Sequence, residues 1–310
     1  MTDAHTTLDG RSTTVLKHRA VAILNDVLEQ IRHRKPDCVL FGGDNIDNRG
    51  AAERDLAAFE RLVEPLNDWR YVVGNHEASR PKPGRITKAE FQRQFAGNGI
   101  PPDAPGYSHV VGDVRVIGLD TTMVGAPGGL VPADGVAFLK DALKAATEPH
   151  VVVVGHHLLV PCWRYPFDTW HQDYLVQNHQ DVVTILGQYP QVRAYLCGHH
   201  HAHRITTVDT GEHPFYQVMT GSPVAFPHSA RVLTFEHDAM CVETIRPRDT
   251  SVLEEGRQAV LLGRKAQRFT ELGIFDEFLG YLEGDASESE VILPYTHAEP
   301  DRRAISAVSR

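Results

Sequence analysis

Four short apolar runs in this 310-residue chain each end in glycine followed by residues that bind hard or borderline cations. They are Val39-Leu40-Phe41-Gly42-Gly43-Asp44-Asn45-Ile46-Asp47, Val72-Val73-Gly74-Asn75-His76-Glu77, Val151 to Val154 followed by Gly155-His156-His157, and Leu196-Cys197-Gly198-His199-His200-His201. A fifth fragment, Asp3-Ala4-His5, stands at the N-terminal end. Any one of them alone would be an ordinary turn or a pair of core histidines. The ordered set, each after an apolar run, places carboxylate oxygens, an amide oxygen and imidazole nitrogens at successive strand ends. Such donors suit a two-metal hydrolytic centre.

Two cations ~3.5–4 Å apart need a carboxylate between them. Asp44 is the candidate, because Gly42 and Gly43 let the backbone turn sharply and present it at a strand tip. Asp47, three residues on, is read as orienting a ligand rather than binding the metal itself. Asn75 offers a neutral hard oxygen. His76 beside it is free to donate a proton to a leaving oxygen or to hold a phosphate oxygen. Glu77 either fixes the His76 tautomer or faces solvent. His156 leads a His-His step, with His157 as a neighbouring candidate. In an extended segment residues i and i+2 face the same way, so His199 and His201 can converge while His200 points away; His201 with His203 is the alternative register.

The elements that must carry these residues follow from periodicity. Residues 15–34 repeat apolar positions at helical spacing, as do 51–66, and Pro36-Asp37 ends the first helix before the strand Cys38–Phe41. Trp69–Val73 is the next strand, and Thr87 caps a short helix to Phe95. Tyr107–Val111 and Val114–Leu119 read as a hairpin about Gly112-Asp113. Asp134–Ala146 and 174–188 are helical. Val151–Val154 is a strand covered on both faces, and Val192–Cys197 is another. Thr206–Val208, Phe215–Met219, Arg231–Phe235 and Met240–Ile245 add four strands. Leu253–Gly263 and Gln267–Leu282 are amphipathic helices, followed from Gly284 by a polar, loosely ordered tail. The expected fold is α/β, a layered sandwich of two sheets flanked by helices. Residues 1–246 form the catalytic domain and 247–310 a helical appendage with its tail.

Composition narrows the partners. A formal charge of -9 without a polybasic run disfavours a nucleic-acid polymer. The four cysteines, Cys38, Cys162, Cys197 and Cys241, form no CxxC and suit a reducing cytoplasm. No apolar window reaches the ~20 residues of a membrane span, so no membrane association is expected, and no signal peptide is visible.

In order and spacing the motifs resemble the calcineurin-like metallophosphoesterase superfamily: DxH as Asp3-Ala4-His5, GDxxD as Gly43-Asp44-Asn45-Ile46-Asp47, GNH[DE] as Gly74-Asn75-His76-Glu77, a strand ending in Gly155-His156-His157, and GHxH as Gly198-His199-His200-His201. The resemblance covers about residues 1–245. It implies a four-layer α/β/β/α sandwich of two mixed sheets. It also implies two divalent or trivalent metal ions, Mn, Fe, Zn or Co, with Asp3, His5, Asp44 and His201 on one. Asp44, Asn75, His156 and His199 would hold the other. A hydroxide bridging the metals would attack phosphorus in line, with His76 assisting departure of the leaving group. The family's opening strand precedes its DxH motif, whereas only Met1 and Thr2 stand before Asp3 here. A start site assigned too late, leaving the first strand truncated, is therefore expected.

Asp47 stands where purple acid phosphatases carry a tyrosine, although Gly74-Asn75-His76-Glu77 and His201-Ala202-His203-Arg204 resemble that branch. The cyclic-nucleotide and glycerophosphodiester phosphodiesterases are the better match, so a phosphodiester is favoured slightly over a phosphomonoester. The substrate is expected to be a small phosphate ester. The run Pro161–His171 offers aromatics for an organic leaving group and Arg164 for its phosphate, or simply packs the loop down. The competing reading is a catalytically idle scaffold that keeps the fold. A metal-dependent amide or lactone hydrolase leaves the glycine-led order unexplained. Oligomeric state is not written in the chain.

Overall fold

The computed structural model describes residues 1–8, 10, 14–163 and 173–295. The helical spacing near the N-terminus resolves into a 3-10 turn, Lys17–Arg19, and helix α1, Ala20–His33, whose Ile23, Leu24, Val27, Leu28 and Ile31 make its buried stripe. Strand β1 (Val39–Gly42), helix α2 (Ala52–Val63) and strand β2 (Trp69–Val72) follow, with β2 parallel to β1. Helix α3 (Lys88–Gln94) opens with a reciprocal cap between Thr87 and Glu90. Next come β3 (Gly106–Val111), β4 (Val114–Leu119), α4 (Ala133–Lys144), β5 (His150–Val154), α5 (His179–Gly187) and β6 (Val192–Cys197). The chain then runs through β7 (Arg204–Val208), β8 (Phe215–Met219), β9 (Ala230–Phe235) and β10 (Ala239–Ile245). It closes with α6 (Ser251–Leu261), α7 (Arg264–Glu271), α8 (Phe275–Glu283) and β11 (Glu290–Pro294).

The largest sheet is mixed, in the order β3-β4-β5-β6-β8-β7. Its four inner strands are parallel, and β3 and β7 are antiparallel edges. Strands β1 and β2 form one smaller sheet, and β11-β10-β9 another. The valines of β5 divide by the period of a strand. Val151 and Val153 enter a core shared with α4, α5 and α8, while Val152 and Val154 enter one shared with α1, α2, β1 and β2. A third cluster joins the large sheet to β10 and β11 through Tyr216, Val218, Met240 and Leu293. The result is the expected α/β/β/α sandwich. No described helix is long and apolar enough to cross a membrane.

Three expected elements change. Helix α5 is shorter than 174–188, because Leu175 and Val176 pair with Leu158 and Gly129 instead. The expected helix Gln267–Leu282 is two helices, since Gly273, at φ 72°, turns the chain between them. Residues 290–294, expected within a loose tail, form β11 against β10, with Leu293 buried and Ile292 facing out. A single inward apolar pair on an edge strand is too short a pattern to stand out from a polar run. At the other end, no strand among the described residues precedes Asp3. Met1–Thr6 lies beside the end of β1: Gly42 N–H donates to Met1 O, His5 N–H to Asp44 O, and Thr6 bridges Ile46 in parallel.

Candidate metal centre

Every glycine-led motif follows the C-terminal end of a parallel strand. Asp44 follows β1, Asn75 and His76 follow β2, His156 follows β5, and His199 and His201 follow β6. The carboxyl ends of parallel strands are where open α/β folds gather ligands. The N-terminal segment, laid along the end of β1, brings Asp3 and His5 to the same place. Asp3, His5, Asp44, His76 and His156 are buried.

The side chains converge in two groups that share Asp44. His5 Nε2 lies 3.1 Å from His201 Nε2, and His201 Nε2 lies 3.3 Å from Asp3 Oδ1. On the other side His156 Nε2 is 3.2 Å from Asn75 Oδ1 and 3.1 Å from His199 Nδ1. Asp44 Oδ2 stands between them, 3.8 Å from His5 Nε2 and 3.5 Å from His156 Nε2. His76 Nε2 is also 3.8 Å from that oxygen.

The backbone is held in an unfavourable conformation to achieve this. Asp3, His5, Asp44, His199 and His201 all take left-handed φ values, 52°, 40°, 50°, 65° and 57°. Each costs of order 1–3 kcal/mol for a non-glycine residue, and such strain gathers at functional sites. The glycines allow the approach. A Cβ on Gly74 would lie 2.1 Å from Asp44 Oδ1, and one on Gly198 would lie 2.1 Å from Asp3 Oδ2.

Hydrogen bonds from behind set the ring nitrogens. His156 Nδ1–H donates to Gly42 O at 2.9 Å, which leaves Nε2 as the lone-pair donor. His199 Nε2–H donates to Asp173 O at 2.8 Å, which leaves Nδ1. Asp3 Oδ2 accepts from Thr2 Oγ1 and His199 N, while the buried Asp3 Oδ1 has no hydrogen-bond partner among the described residues. An orphaned carboxylate oxygen and imidazole lone pairs about 3 Å apart are what a cation would satisfy, so the donor set fits two metal ions. The carboxylates and imidazoles also shift one another's titration. Burial would raise the Asp44 carboxyl, but His76, His156 and His5 hold it well below its ordinary range. Burial opposes protonation of His156, yet Asp44 draws it up to about 9. Burial and His156 push His199 down to about 3.

The remaining candidates lie around this centre. Asp47 is buried, pairs with Lys17 Nζ at 2.7 Å and turns Oδ1 toward His76 Nδ1 at 3.7 Å. Glu77 is buried; its carboxyl accepts from Ile46 N and Gly74 N, binding the two ligand loops together. Burial, then Asp44, lifts it to about 8. The His76 tautomer is set instead by the Asp47 carbonyl, which accepts from Nδ1 at 2.7 Å. Both His157 nitrogens are engaged, by Thr121 Oγ1 and Pro127 O, and both His203 nitrogens by Ser229 Oγ and Thr244 Oγ1. Neither ring contributes to the two groups, and the alternative pairing of His201 with His203 is not formed. Arg164 and most of the aromatic run lie outside the described residues; Trp163 stacks on Tyr281 at 4.7 Å.

Arg49 escaped the sequence reading. Its Nη2 is 3.0 Å from His76 Nε2, at the exposed mouth of the centre. Its position two residues after Asp47, in the loop led by Gly42-Gly43, was the available signal. A further trio, Cys38, Asp68 and His109, also brings three donor atoms within 4.8 Å. There the Arg70 guanidinium already binds His109 Nδ1 and Asp68, which takes a cation's place.

Comparison with known proteins agrees with this geometry. The model of the calcineurin-like phosphoesterase family matches residues 1–203. The chain is 28% identical over 181 residues to a 3',5'-cyclic adenosine monophosphate phosphodiesterase, CpdA, of Pseudomonas aeruginosa, covering 57% of this chain and 60% of that protein. It is 28% identical over 176 residues to a probable glycerophosphodiester phosphodiesterase, GpdQ, of Arcobacter nitrofigilis, covering 56% and 59%. The matched stretch thus spans about three-fifths of these relatives. Among solved structures, a dimetal phosphatase from Danio rerio superposes with a TM-score of 0.62 at 17% identity, covering 79% of this chain and 94% of that one. A purple acid phosphatase from yellow lupin superposes with a TM-score of 0.59 at 16% identity, covering 74% and 47%. These likenesses show the fold. The family model covers more than half of the residues and every ligand motif, and the chain belongs to the calcineurin-like phosphoesterase family.

Proposed function

We propose that this chain is a metal-dependent hydrolase of small phosphate esters, with a phosphodiester favoured over a monoester. The observation that carries it is Asp44 Oδ2 standing between two groups of donors, with His76 Nε2 and Arg49 beside it. Asp3, His5, Asp44 and His201 would hold one metal, and Asp44, Asn75, His156 and His199 the other. Bound there, the two ions would supply Lewis acidity and an activated water for attack at phosphorus.

The chain's own residues then act on the ester. A guanidinium only donates hydrogen bonds, so at rest His76 Nε2 accepts from Arg49 while Nδ1–H donates to Asp47 O. An anionic phosphate oxygen is a stronger partner for Arg49 than a neutral imidazole. Arg49 thus turns to the substrate, and His76 Nε2, freed of Arg49, takes up a proton from solvent and delivers it to the leaving oxygen. Glu77, Asp47 and Lys17 hold the loops of Asp44, Asn75 and His76 in place. His157 and His203 anchor their own ligand segments, the first to Thr121 and Pro127 and the second to Ser229 and Thr244. Residues 1–246 carry every group named here. The segment from 247 supports them, with Tyr281 of α8 against His200. The diester preference rests on the names of the two curated relatives, and the four free cysteines suit the cytoplasm.

Paired chromogenic mono- and diesters, assayed after reconstitution with Mn, Fe, Zn or Co, test this reading. Turnover of the diester is expected, with loss of both turnover and bound metal in Asp44→Asn. Inactivity on both esters with all four metals would leave the idle scaffold as the correct reading.

A further inference from the structure

Residues 78–89 carry Arg80, Lys82, Arg85 and Lys88 and no carboxylate, in a chain whose formal charge is -9. The segment follows the Gly74-Asn75-His76-Glu77 turn directly, and Arg49 on the loop after β1 adds a further cation beside it. Like charges gathered in one place repel one another unless something of opposite sign joins them. Lys88 has Asp120, 2.6 Å away, and Asp47 is taken by Lys17. Among the described residues, Arg49, Arg80, Lys82 and Arg85 make no ion pair with any carboxylate, and Arg49, Arg80 and Lys82 are exposed.

The loop that presents them is tied down. Pro81 and Pro83 fix their own φ, and Arg85 N–H closes a turn on Lys82 O at 3.1 Å. The Asn48 side chain binds Ile86 through both N–H and carbonyl at 2.9 Å, and also donates to His76 O at 2.7 Å. Arg85 Nη1 donates to Ser79 Oγ at 3.3 Å, and Ser79 Oγ donates to His76 O at 2.8 Å. The Arg85 guanidinium is thus two hydrogen bonds from the backbone of His76, as Arg49 is one from its ring. Arg80 lies along the loop after β4, where a Cβ on Gly125 would meet its Nε at 2.4 Å. Strand β4 is parallel to β5, so these cations stand at the carboxyl ends of strands, the end at which the metal centre lies. His76 Nε2 has Asp44 Oδ2 at 3.8 Å and Arg49 Nη2 at 3.0 Å, and so joins that centre to the cationic loops.

We propose that Arg80 and Arg85, beside Arg49, form a subsite for a second phosphate, one carried by the leaving alcohol of the ester. The inference rests on the hydrolase reading and narrows its substrate to a small phosphate ester with a further phosphate beyond the scissile one. His76 delivers its proton to the leaving oxygen, so the remainder of the leaving group extends from His76 over these loops. The bond between phosphorus and that oxygen breaks, water adds its hydroxyl to phosphorus, and the alcohol departs with the proton and its own phosphate. Guanidinium forks suit phosphate because they offer paired N–H donors and keep their charge at any working pH. Lys82 adds to the field of the same loop. The acidity of the chain as a whole limits the fit to a small molecule rather than a nucleic-acid polymer.

Two methyl aryl phosphodiesters that differ only in the para substituent of the leaving phenol, hydroxymethyl or sulfomethyl, test this. The sulfonate is a tetrahedral oxyanion like phosphate but a poor metal ligand, so it reports on the loops rather than on the ions. With the metal-loaded chain, kcat/KM for the sulfomethyl ester is expected to be about tenfold the higher, the size of one charge-assisted hydrogen bond. That advantage shrinks as salt is raised, and Arg80→Gln combined with Arg85→Gln abolishes it. No advantage in the unaltered chain, or one that the double variant keeps, overturns the proposal. Turnover of neither ester removes the hydrolase reading instead, and binding then decides the subsite. The side-chain Nε–H signals of Arg80 and Arg85 are expected to shift and saturate in NMR titrations with 4-hydroxyphenylmethanesulfonate and not with 4-hydroxybenzyl alcohol. Signals that ignore the sulfonate overturn the proposal whether or not the esters turn over.

Discussion

His76 Nδ1–H is committed to a backbone carbonyl, so the only nitrogen that can meet a substrate is Nε2, and Arg49 occupies it at 3.0 Å. The two side chains therefore make separable predictions. His76→Ala is expected to lower kcat by about 10²–10⁴ on an ester with a poor alkoxide leaving group, and far less on a nitrophenyl ester that departs without a proton. Equal losses on the two esters would refute the acid role. Arg49→Ala is expected to raise KM about tenfold, the size of a lost charge-assisted hydrogen bond, while bound metal stays unchanged. A loss of metal in that variant would mean that Arg49 supports the centre rather than the substrate.

Helix α6 touches the loop between β8 and β9 at one point of unusual closeness. A Cβ on Gly256 would lie 1.9 Å from His228 Nε2, and His228 is fully buried with Nδ1–H held by Pro223 O. In an exposed helix Gly→Ala stabilises by about 1 kcal/mol. Here the imidazole has nowhere to move, and the sign reverses. Gly256→Ala is expected to lower stability by about 1–3 kcal/mol, the usual cost of overpacking, measured by urea unfolding. An unchanged or raised midpoint would show that α6 docks less tightly than this contact implies. Helix spacing in 253–263 was legible in the chain. The need for a glycine facing His228 was not, because the two residues are brought together only by packing.

Across the molecule, buried neutral histidine gives folding a definite pH dependence. Burial holds His228 down to about 4, below its ordinary 6.5. The unfolded chain then binds a proton that the folded chain refuses, so the stability due to this group is complete above pH 6.5. It is lost as pH falls toward 4, with a slope of up to about 1.4 kcal/mol per pH unit. His228 has φ 55°, a conformation that asparagine tolerates. The urea midpoint of His228→Asn should therefore fall less steeply than that of the unaltered chain between pH 6.5 and 4.5. Parallel profiles would place the acid sensitivity elsewhere.

The candidate donors and the strands beneath them were legible because both are local. Glycine after an apolar run marks a turn at a strand tip, and carboxylate, amide and imidazole in a set of such turns are candidate cation ligands. The four-valine run of β5 likewise announced a strand covered on both faces. Other features depended on partners far away in the chain. The tautomers of His76 and His199 follow from the carbonyls of Asp47 and Asp173, and the burial of Glu77 follows from the amides of Ile46 and Gly74. Strand β11 exists because β10 had an edge to pair. Side-chain type is carried by each residue alone, whereas hydrogen-bond partner, burial and edge pairing are properties of residues that only the folded chain brings together.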